Sequence, residues 1–241
     1  MLVPVIENHN QTATSGRRGK RLDWLVRLTV IPLLVLAGIW FVTGMPGRSW
    51  SGSVPPLTVK EQRIQDNLKR HVEELAGRIG ERNVWRPEAM AAAAGYIRMT
   101  LEEAGYAVNV QPFTSRGQTV ANIEAILPGR AAADEIIVIG AHYDSVAGCP
   151  GANYNASGVA TLLELARLLA GTTMPRSVRF VAFANEEAPF FYGDVMGSNR
   201  YAARAQARGE RIEAMLSLET VGYYTDRPGS QFYPFPFSLF Y

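Results

Sequence analysis

Cysteine and histidine are both scarce in this chain of 241 residues. Cys149 is the only cysteine, so an internal disulfide is excluded and cysteine usage carries no information on the redox compartment. Of the three histidines, His9 precedes a long apolar run, and His71 falls on a predicted helix as a partly exposed residue with no ligand partner near it. His142 is therefore the one candidate metal ligand among them.

A strong net charge is also missing. The formal charge is +2, and residues 1–50 carry six basic residues against two acidic ones, a net +4 that leaves −2 for the rest. A nucleic-acid-binding domain would carry its basic stripe on the folded surface rather than on a tail. The charge distribution therefore argues against a nucleic acid as partner.

One apolar run has nearly the length of a membrane anchor. Leu28 to Gly44 is free of charged residues, and a bilayer crossing needs about 20 such residues. Pro32 inside the run is tolerated more readily in membrane helices than in soluble ones. The basic residues between Arg17 and Arg27 precede the run, which predicts a cytoplasmic N-terminus and an extracytoplasmic domain.

Two other interpretations of this run are open. A cleaved signal peptide is disfavoured because the polar leader is long and no Ala-x-Ala-type site follows Gly44. A buried core helix is disfavoured by the basic flank and by the Pro/Gly/Ser-rich linker that follows. The predicted organisation is a cytoplasmic basic tail (1–21), a transmembrane anchor (22–44), a linker (45–57) and an α/β domain (58–241).

Hydrophobic periodicity predicts alternating helices and strands in the domain. Apolar residues recur at helical spacing from Val59 to Arg78, and a second helical stripe lies between Pro87 and Gly105. Strands are predicted near 106–110, 120–127, 135–141, 178–184 and 214–218, with helices at 157–169 and 196–208. This alternation is typical of a doubly wound α/β fold with a mostly parallel sheet, which binds ligands beyond the carboxyl ends of its strands.

Polar motifs fall at those strand ends. A lone histidine at a strand end usually makes only local hydrogen bonds, and a glutamate pair in a loop usually faces solvent. The prediction of a functional site therefore rests on the spacing of several motifs together. The motifs are His-Tyr-Asp-Ser at 142–145, Gly-Ala-Asn-Tyr-Asn-Ala-Ser-Gly at 151–158, the pair Glu186-Glu187, and Glu219.

In this spacing the chain resembles the zinc-dependent aminopeptidases of peptidase family twenty-eight. The family pattern runs His-x-Asp, Gly-Ala-x-Asp-Asn-x-Ser-Gly, Glu-Glu, and then an Asp or Glu before an apolar-Gly pair. The resemblance covers approximately Val59 to Tyr241. It implies a zinc exopeptidase-like fold, two zinc ions at the strand ends, and a peptide as substrate.

The resemblance also implies a role for each polar residue. His142 and Glu219 would bind one zinc ion, and Glu187 would bind the other. Glu186 would be the general base that takes a proton from the attacking water and passes it to the leaving amine. Asp144 would orient the imidazole of His142 and raise its basicity.

The chain departs from the family pattern at Tyr154, where the family has the Asp that bridges the two zinc ions. A neutral phenol offers one oxygen, whereas a carboxylate has two oxygens and a full negative charge. Two Zn²⁺ ions without that charge between them would repel each other strongly. We therefore expect one zinc ion or none in this chain, held more weakly than in a complete site.

The end of the chain is the second departure. The family pattern continues past Glu219 to a further strand, a helix and a final His, which this sequence does not contain. Six of its last ten residues are aromatic. Such an apolar patch is either an unfinished core or an interaction surface. The sequence therefore predicts a domain that is incomplete at the C-terminus.

Together these patterns predict a membrane-anchored, extracytoplasmic zinc metallopeptidase of the aminopeptidase type, impaired in this copy. One alternative is a catalytically dead remnant that keeps the sheet and binds peptides. Another is a single-zinc cyclase, which would also need the missing Asp and the missing His. The sequence leaves the preferred substrate side chain and the oligomeric state undetermined.

Overall fold

The fold is seen in a computed structural model that describes residues 15–43, 52–225 and 227. The chain divides into two compact units, Met1–Pro55 and Pro56–Tyr241. Residues 1–14 of the predicted tail and the whole aromatic C-terminal segment, the last ten residues, lie outside the described residues.

The N-terminal unit contains one helix, α1 (Ser15–Thr43), with Pro32 inside it. Several large apolar side chains of α1 are exposed, among them Leu34 and Phe41. Within the described ranges, no helix combines the length and the apolar character that a bilayer crossing requires. Residues 22–43 of the predicted anchor lie on α1.

The second unit is built on a five-stranded mixed sheet. Its strands are β1 (Val108–Ser115), β2 (Gln118–Leu127), β3 (Gly129–His142), β4 (Met174–Phe183) and β5 (Arg211–Ser217). Their order in the sheet is β1-β2-β4-β3-β5. β3 is parallel to both of its neighbours, whereas β2 is antiparallel to β1 and β4. The expectation of a mostly parallel sheet therefore holds only for the β4-β3-β5 half.

The antiparallel half follows from a tight hairpin between β1 and β2. Arg116 and Gly117 alone connect the two strands, and both have positive φ, 49° and 77°. A connection of two residues can join only antiparallel strands, because parallel strands need a crossover of a dozen or more residues. The periodicity predicted both strands, and the turn between them decides how they pair.

The described part of this unit has four α-helices: α2 (Val59–Val72), α3 (Pro87–Glu103), α4 (Ser157–Leu169) and α5 (Gly197–Ala207). Thr58 opens α2 with a capping box, because its hydroxyl accepts a bond from the Glu61 amide while the Glu61 carboxylate accepts one from the Thr58 amide. A π-helical segment, Glu73–Ile79, continues α2. The helix predicted over 59–78 is therefore confirmed, with a change of hydrogen-bond spacing in its last turns.

Helices cover both faces of the sheet. Phe180 on β4 belongs to a large buried cluster that includes side chains from α3 and α4, such as Ile97 and Leu162. The next residue, Val181, points to the opposite face and packs in a second cluster with Tyr201 of α5. This layering confirms the α/β class predicted from the sequence.

His71 corrects one detail of the prediction, because it is buried rather than partly exposed. Its Nδ1 lies 2.6 Å from the Tyr96 hydroxyl of α3. Burial, with a smaller contribution from the positive charge of Arg70, lowers the pKa of His71 to about 4. His71 is thus a neutral core residue that links α2 to α3.

Candidate metal centre

The site lies where the three parallel strands end. β3 runs between β4 and β5, so its last residue, His142, is flanked by the segments that leave both neighbours. Glu186 and Glu187 follow β4, and Glu219 follows β5. Because the carboxyl ends of parallel strands meet at one edge of a sheet, these side chains come together there.

The ligand atoms converge around the imidazole of His142. Its Nε2 lies 3.4 Å from Oε1 of Glu219 and 3.7 Å from Oε2 of Glu186. His142, Glu186 and Glu187 each offer one ligand atom within 4.8 Å of the others. Glu186, expected to be the general base, therefore belongs to the same group of candidate ligand atoms as His142 and Glu187.

Four polar atoms of this group are buried and lack a hydrogen-bond partner in the described part of the chain. They are Nε2 of His142, Oε2 of Glu186, Oε1 of Glu187 and Oε1 of Glu219. Buried polar atoms are almost always paired, because each orphan loses its hydration without compensation. An imidazole nitrogen and carboxylate oxygens are the donor set that Zn²⁺ takes in hydrolases, so the residues present fit a zinc ion.

Asp144 contacts both the imidazole of His142 and the backbone of the two glutamates. Its Oδ1 lies 3.3 Å from Nδ1 of His142 and accepts a hydrogen bond from the backbone N–H of Glu186 at 3.0 Å. Its Oδ2 accepts one from the backbone N–H of Glu187, also at 3.0 Å. One buried carboxylate therefore fixes both the imidazole and the segment that carries the two glutamates.

The electrostatics of the site reflect this concentration of carboxylates. Burial alone would lower the pKa of His142, but the carboxylates of Asp144 and Glu219 outweigh it and raise the pKa to about 10. Burial raises the pKa of Glu187 to about 7 and also raises that of Glu186. A bound cation would relieve the repulsion among these negative charges.

Tyr154 stands beside the group without adding charge to it. Its ring meets the His142 ring edge-on, with centroids 5.2 Å apart, and the residue is 36% exposed. Burial, with the negative charges of Glu186 and the other site glutamates, raises the pKa of Tyr154 to about 12. The phenol is therefore neutral at any physiological pH and cannot replace the charge of a carboxylate.

Asn155 ties the motif loop to the segment that carries Glu219. Its Nδ2 donates to the carbonyl oxygen of Leu218 at 2.8 Å, and its Oδ1 accepts from the N–H groups of Gly158 and Thr220. A Cβ on Gly158 would lie 2.4 Å from both Asn155 and the Leu218 carbonyl oxygen, so only glycine fits. The motif was visible in the sequence, but this positioning of Glu219 was not.

Comparisons with known proteins agree with this geometry. The sequence profile of peptidase family M28 matches residues 122–234. The chain is 35% identical over 117 residues to the aminopeptidase YwaD of Bacillus subtilis (strain 168), covering 48% of this chain and 24% of that protein. Residues 122–234 belong to peptidase family M28. The motif residues that suggested the family are those that gather at the strand ends.

Two further comparisons bear on the fold and on length. The uncharacterized protein YfbL of Escherichia coli (strain K12) is 36% identical over 195 residues, 78% of this chain and 58% of YfbL. A solved zinc aminopeptidase from Bacillus subtilis, BSAP, has a TM-score of 0.58 at 17% identity, over 65% of this chain and 69% of that chain. The chain thus spans a quarter to three fifths of the length of these curated relatives.

Sequence reasoning missed one structural feature near the site, the buried Arg82. Its side chain donates to backbone carbonyl oxygens that include those of Tyr143 at 2.7 Å and Gly151 at 3.1 Å. Burial lowers the pKa of Arg82 to about 10, which leaves the guanidinium charged at neutral pH. Arg82 lies in the stretch Gly-Glu-Arg-Asn at 80–83, and no periodicity reveals which carbonyl groups an arginine binds.

Proposed function

We propose that this chain is a zinc-dependent hydrolase of the aminopeptidase type, which removes N-terminal residues from peptides. The observation that carries the proposal is the set of four orphaned, buried ligand atoms at the ends of β3, β4 and β5. Family membership supports a peptide as the substrate and zinc as the metal. His142, Glu187 and Glu219 would hold the metal, which when bound polarises a carbonyl oxygen and lowers the pKa of water.

The side chains of the domain would perform the remaining steps. Asp144 would accept a hydrogen bond from the Nδ1–H of His142, so that Nε2 would bind the metal once its own proton is displaced. Oε2 of Glu186 lies 3.7 Å from Nε2 of His142, and this carboxylate would take a proton from the attacking water and return it to the leaving amine. The neighbouring Tyr154 ring would limit the space for water and metal on that side.

We expect the full chain to release the N-terminal residue of short peptides slowly, with at most one zinc ion per chain. A chelator should abolish the release and added zinc should restore it. Acetylated peptides, which lack a free amine, should stay intact. Metal content after dialysis is measured by elemental analysis, and release by chromatography of the products. Two tightly bound zinc ions per chain, or cleavage that a chelator does not affect, would contradict the proposal.

Two substitutions at position 154 provide the matched controls. Tyr154→Asp adds the missing carboxylate and is expected to raise zinc affinity at least tenfold, about 1.4 kcal/mol, because ligand charge governs metal binding. Tyr154→Phe removes only the hydroxyl and should leave zinc affinity unchanged. A loss of zinc in Tyr154→Phe would instead identify the phenol oxygen as a ligand.

A second candidate function is supported by the same residue. A neutral Tyr154 at the bridging position favours a domain that binds peptides without cleaving them. The two functions separate cleanly when the zinc-loaded chain is titrated with a tripeptide. Binding without release of any product supports the binding module, whereas product release supports the hydrolase.

We further propose that residues 22–44 anchor the chain in a membrane, with the N-terminus in the cytoplasm. The proposal rests on the uncharged run from Leu28 to Gly44 and on the five basic residues that precede it. A reporter fused after Tyr241 that is active only outside the cytoplasm should be active. Replacing the five basic residues between Arg17 and Arg27 by glutamine should reduce that activity, and a fusion active only in the cytoplasm would overturn the orientation.

A further inference from the structure

The backbone around Tyr154 is fixed by its two neighbours in the motif. On one side, the Asn153 side chain accepts a hydrogen bond from the N–H of Gly222 at 3.0 Å, and the Asn153 carbonyl oxygen accepts one from the Ser157 hydroxyl at 2.6 Å. On the other side, Asn155 is fully buried. The fold therefore defines where the Tyr154 side chain starts.

The phenol ring of Tyr154 lies against the metal centre. It meets the imidazole of His142 edge-on, with centroids 5.2 Å apart, yet Tyr154 is 36% exposed. Burial, followed by the negative charges of Glu186, Glu187 and Glu219, raises the pKa of Tyr154 to about 12. The phenol is thus within electrostatic range of all three carboxylates, keeps its proton at neutral pH, and stays open to a molecule that enters from solvent.

The Tyr154 hydroxyl is a donor that the protein itself does not use. Within the part of the chain that the structure describes, no group accepts a hydrogen bond from it. The ionised carboxylates of Glu186, Glu187 and Glu219 are acceptors only. The side-chain amide of Asn155 already donates to the carbonyl oxygen of Leu218 at 2.8 Å. The phenol O–H therefore remains available to a ligand beside His142.

Hydrolysis of a peptide bond needs such a donor. When water attacks the carbonyl carbon, an electron pair moves onto the carbonyl oxygen, which becomes negatively charged. The carboxylates of this site would repel that charge, so an O–H group directed at the oxygen stabilises the transition state more than the ground state. A tyrosine hydroxyl is one of the groups that serve this purpose in water-excluded sites.

We propose that the Tyr154 hydroxyl donates a hydrogen bond to the carbonyl oxygen of the scissile peptide bond, and a stronger one to the oxyanion formed from it. The proposal rests on the proposed hydrolase function and adds a catalytic residue to it. The water oxygen bonds to the carbonyl carbon while Glu186 takes a proton from the water. The C–N bond then breaks as that proton passes to the leaving amine, and the carbonyl group re-forms. Tyr154 keeps its own proton throughout.

The variant Tyr154→Phe tests this role, because it removes only the hydroxyl. The zinc-loaded chains are compared with Ala-Ala-Ala and with a phosphinic analogue of it, in which a tetrahedral phosphorus with an anionic oxygen replaces the scissile carbonyl group. Turnover should fall by about 10²–10³-fold, the usual effect of losing one oxyanion donor, with KM and zinc content unchanged. Calorimetry should show binding of the analogue weakened at least about tenfold, because the analogue carries the charge of the transition state.

Two controls separate this role from a packing role of the ring. Binding of Ala-Ala-Ala itself should be the same in Tyr154→Phe and in the unmodified chain. Tyr192→Phe removes the hydroxyl of a tyrosine that is 93% exposed, and it should behave like the unmodified chain with both ligands. If Tyr154→Phe weakens the peptide and the analogue equally, the hydroxyl acts on the ground state and the proposal is overturned.

The outcomes also distinguish this proposal from the proposed function. Cleavage with equal turnover and equal analogue affinity in Tyr154→Phe supports the hydrolase and overturns the role of the hydroxyl. Analogue binding that depends on the hydroxyl, without cleavage of the peptide, supports the hydrogen bond and contradicts the hydrolase. An unmodified chain that cleaves the peptide but does not bind the analogue also overturns the role of Tyr154.

Discussion

Replacing Glu186 by Gln is expected to lower peptide hydrolysis by about 10²–10⁴-fold, the usual contribution of a general base. The amide is nearly the same size as the carboxylate but accepts no proton near neutral pH. Glu186 is partly exposed, in contrast to the buried Glu187, so it can reach water at the site. The measurement is turnover at saturating substrate together with zinc content.

The zinc content of Glu186→Gln decides between two roles for this residue. Oε2 of Glu186 lies 3.7 Å from Nε2 of His142, and Glu186 belongs to one group of candidate ligands with His142 and Glu187, so it could bind the metal instead of moving a proton. A general base can be replaced without loss of zinc, whereas a ligand cannot. Glu187→Gln is the matched control, with loss of both zinc and turnover expected. Zinc retained in Glu187→Gln but lost in Glu186→Gln would reverse the two roles.

The motif residues were predictable because two simple rules place them. Apolar runs predicted where β3, β4 and β5 end, and ligands of such sheets lie beyond those ends. His142, Glu187 and Glu219 therefore come together as the sequence indicated. Their division into ligands and base rests on the family resemblance and stays a prediction.

Other parts of the fold depend on contacts that no local pattern encodes. The pairing of β2 with β4 joins strands that lie far apart in sequence, and periodicity says nothing about strand order. His71 looked partly exposed because it lies beside the apolar stripe of α2, yet α3 and Tyr96 cover it. The aromatic pair of Trp85 and Phe190 likewise joins two loops that the sequence separates by about a hundred residues.

Replacing Arg82 by Met is expected to lower the free energy of unfolding by about 3–5 kcal/mol. The guanidinium is fully buried, and its hydrogen bonds end on backbone carbonyl oxygens rather than on a carboxylate. The acceptors are Leu75, Gly80, Tyr143, Pro150 and Gly151. Methionine fills similar space but donates no hydrogen bond, so buried carbonyl groups lose a partner, at about 1–3 kcal/mol for each that stays unpaired.

The substitution of Arg82 should also affect the metal centre, because Arg82 binds the carbonyl oxygens of Tyr143 and Gly151 and so positions the loop between Asp144 and Tyr154. Loss of these hydrogen bonds should weaken zinc binding more than tenfold, even under conditions in which the variant stays folded. Arg82→Lys, which keeps the charge without the planar fork, should lose less stability, and Arg63→Met on the exposed face of α2 should change stability by less than about 0.5 kcal/mol. Urea denaturation with zinc titration measures both quantities. Equal stability of Arg82→Met and Arg63→Met would show that the buried guanidinium is not what holds this loop in place.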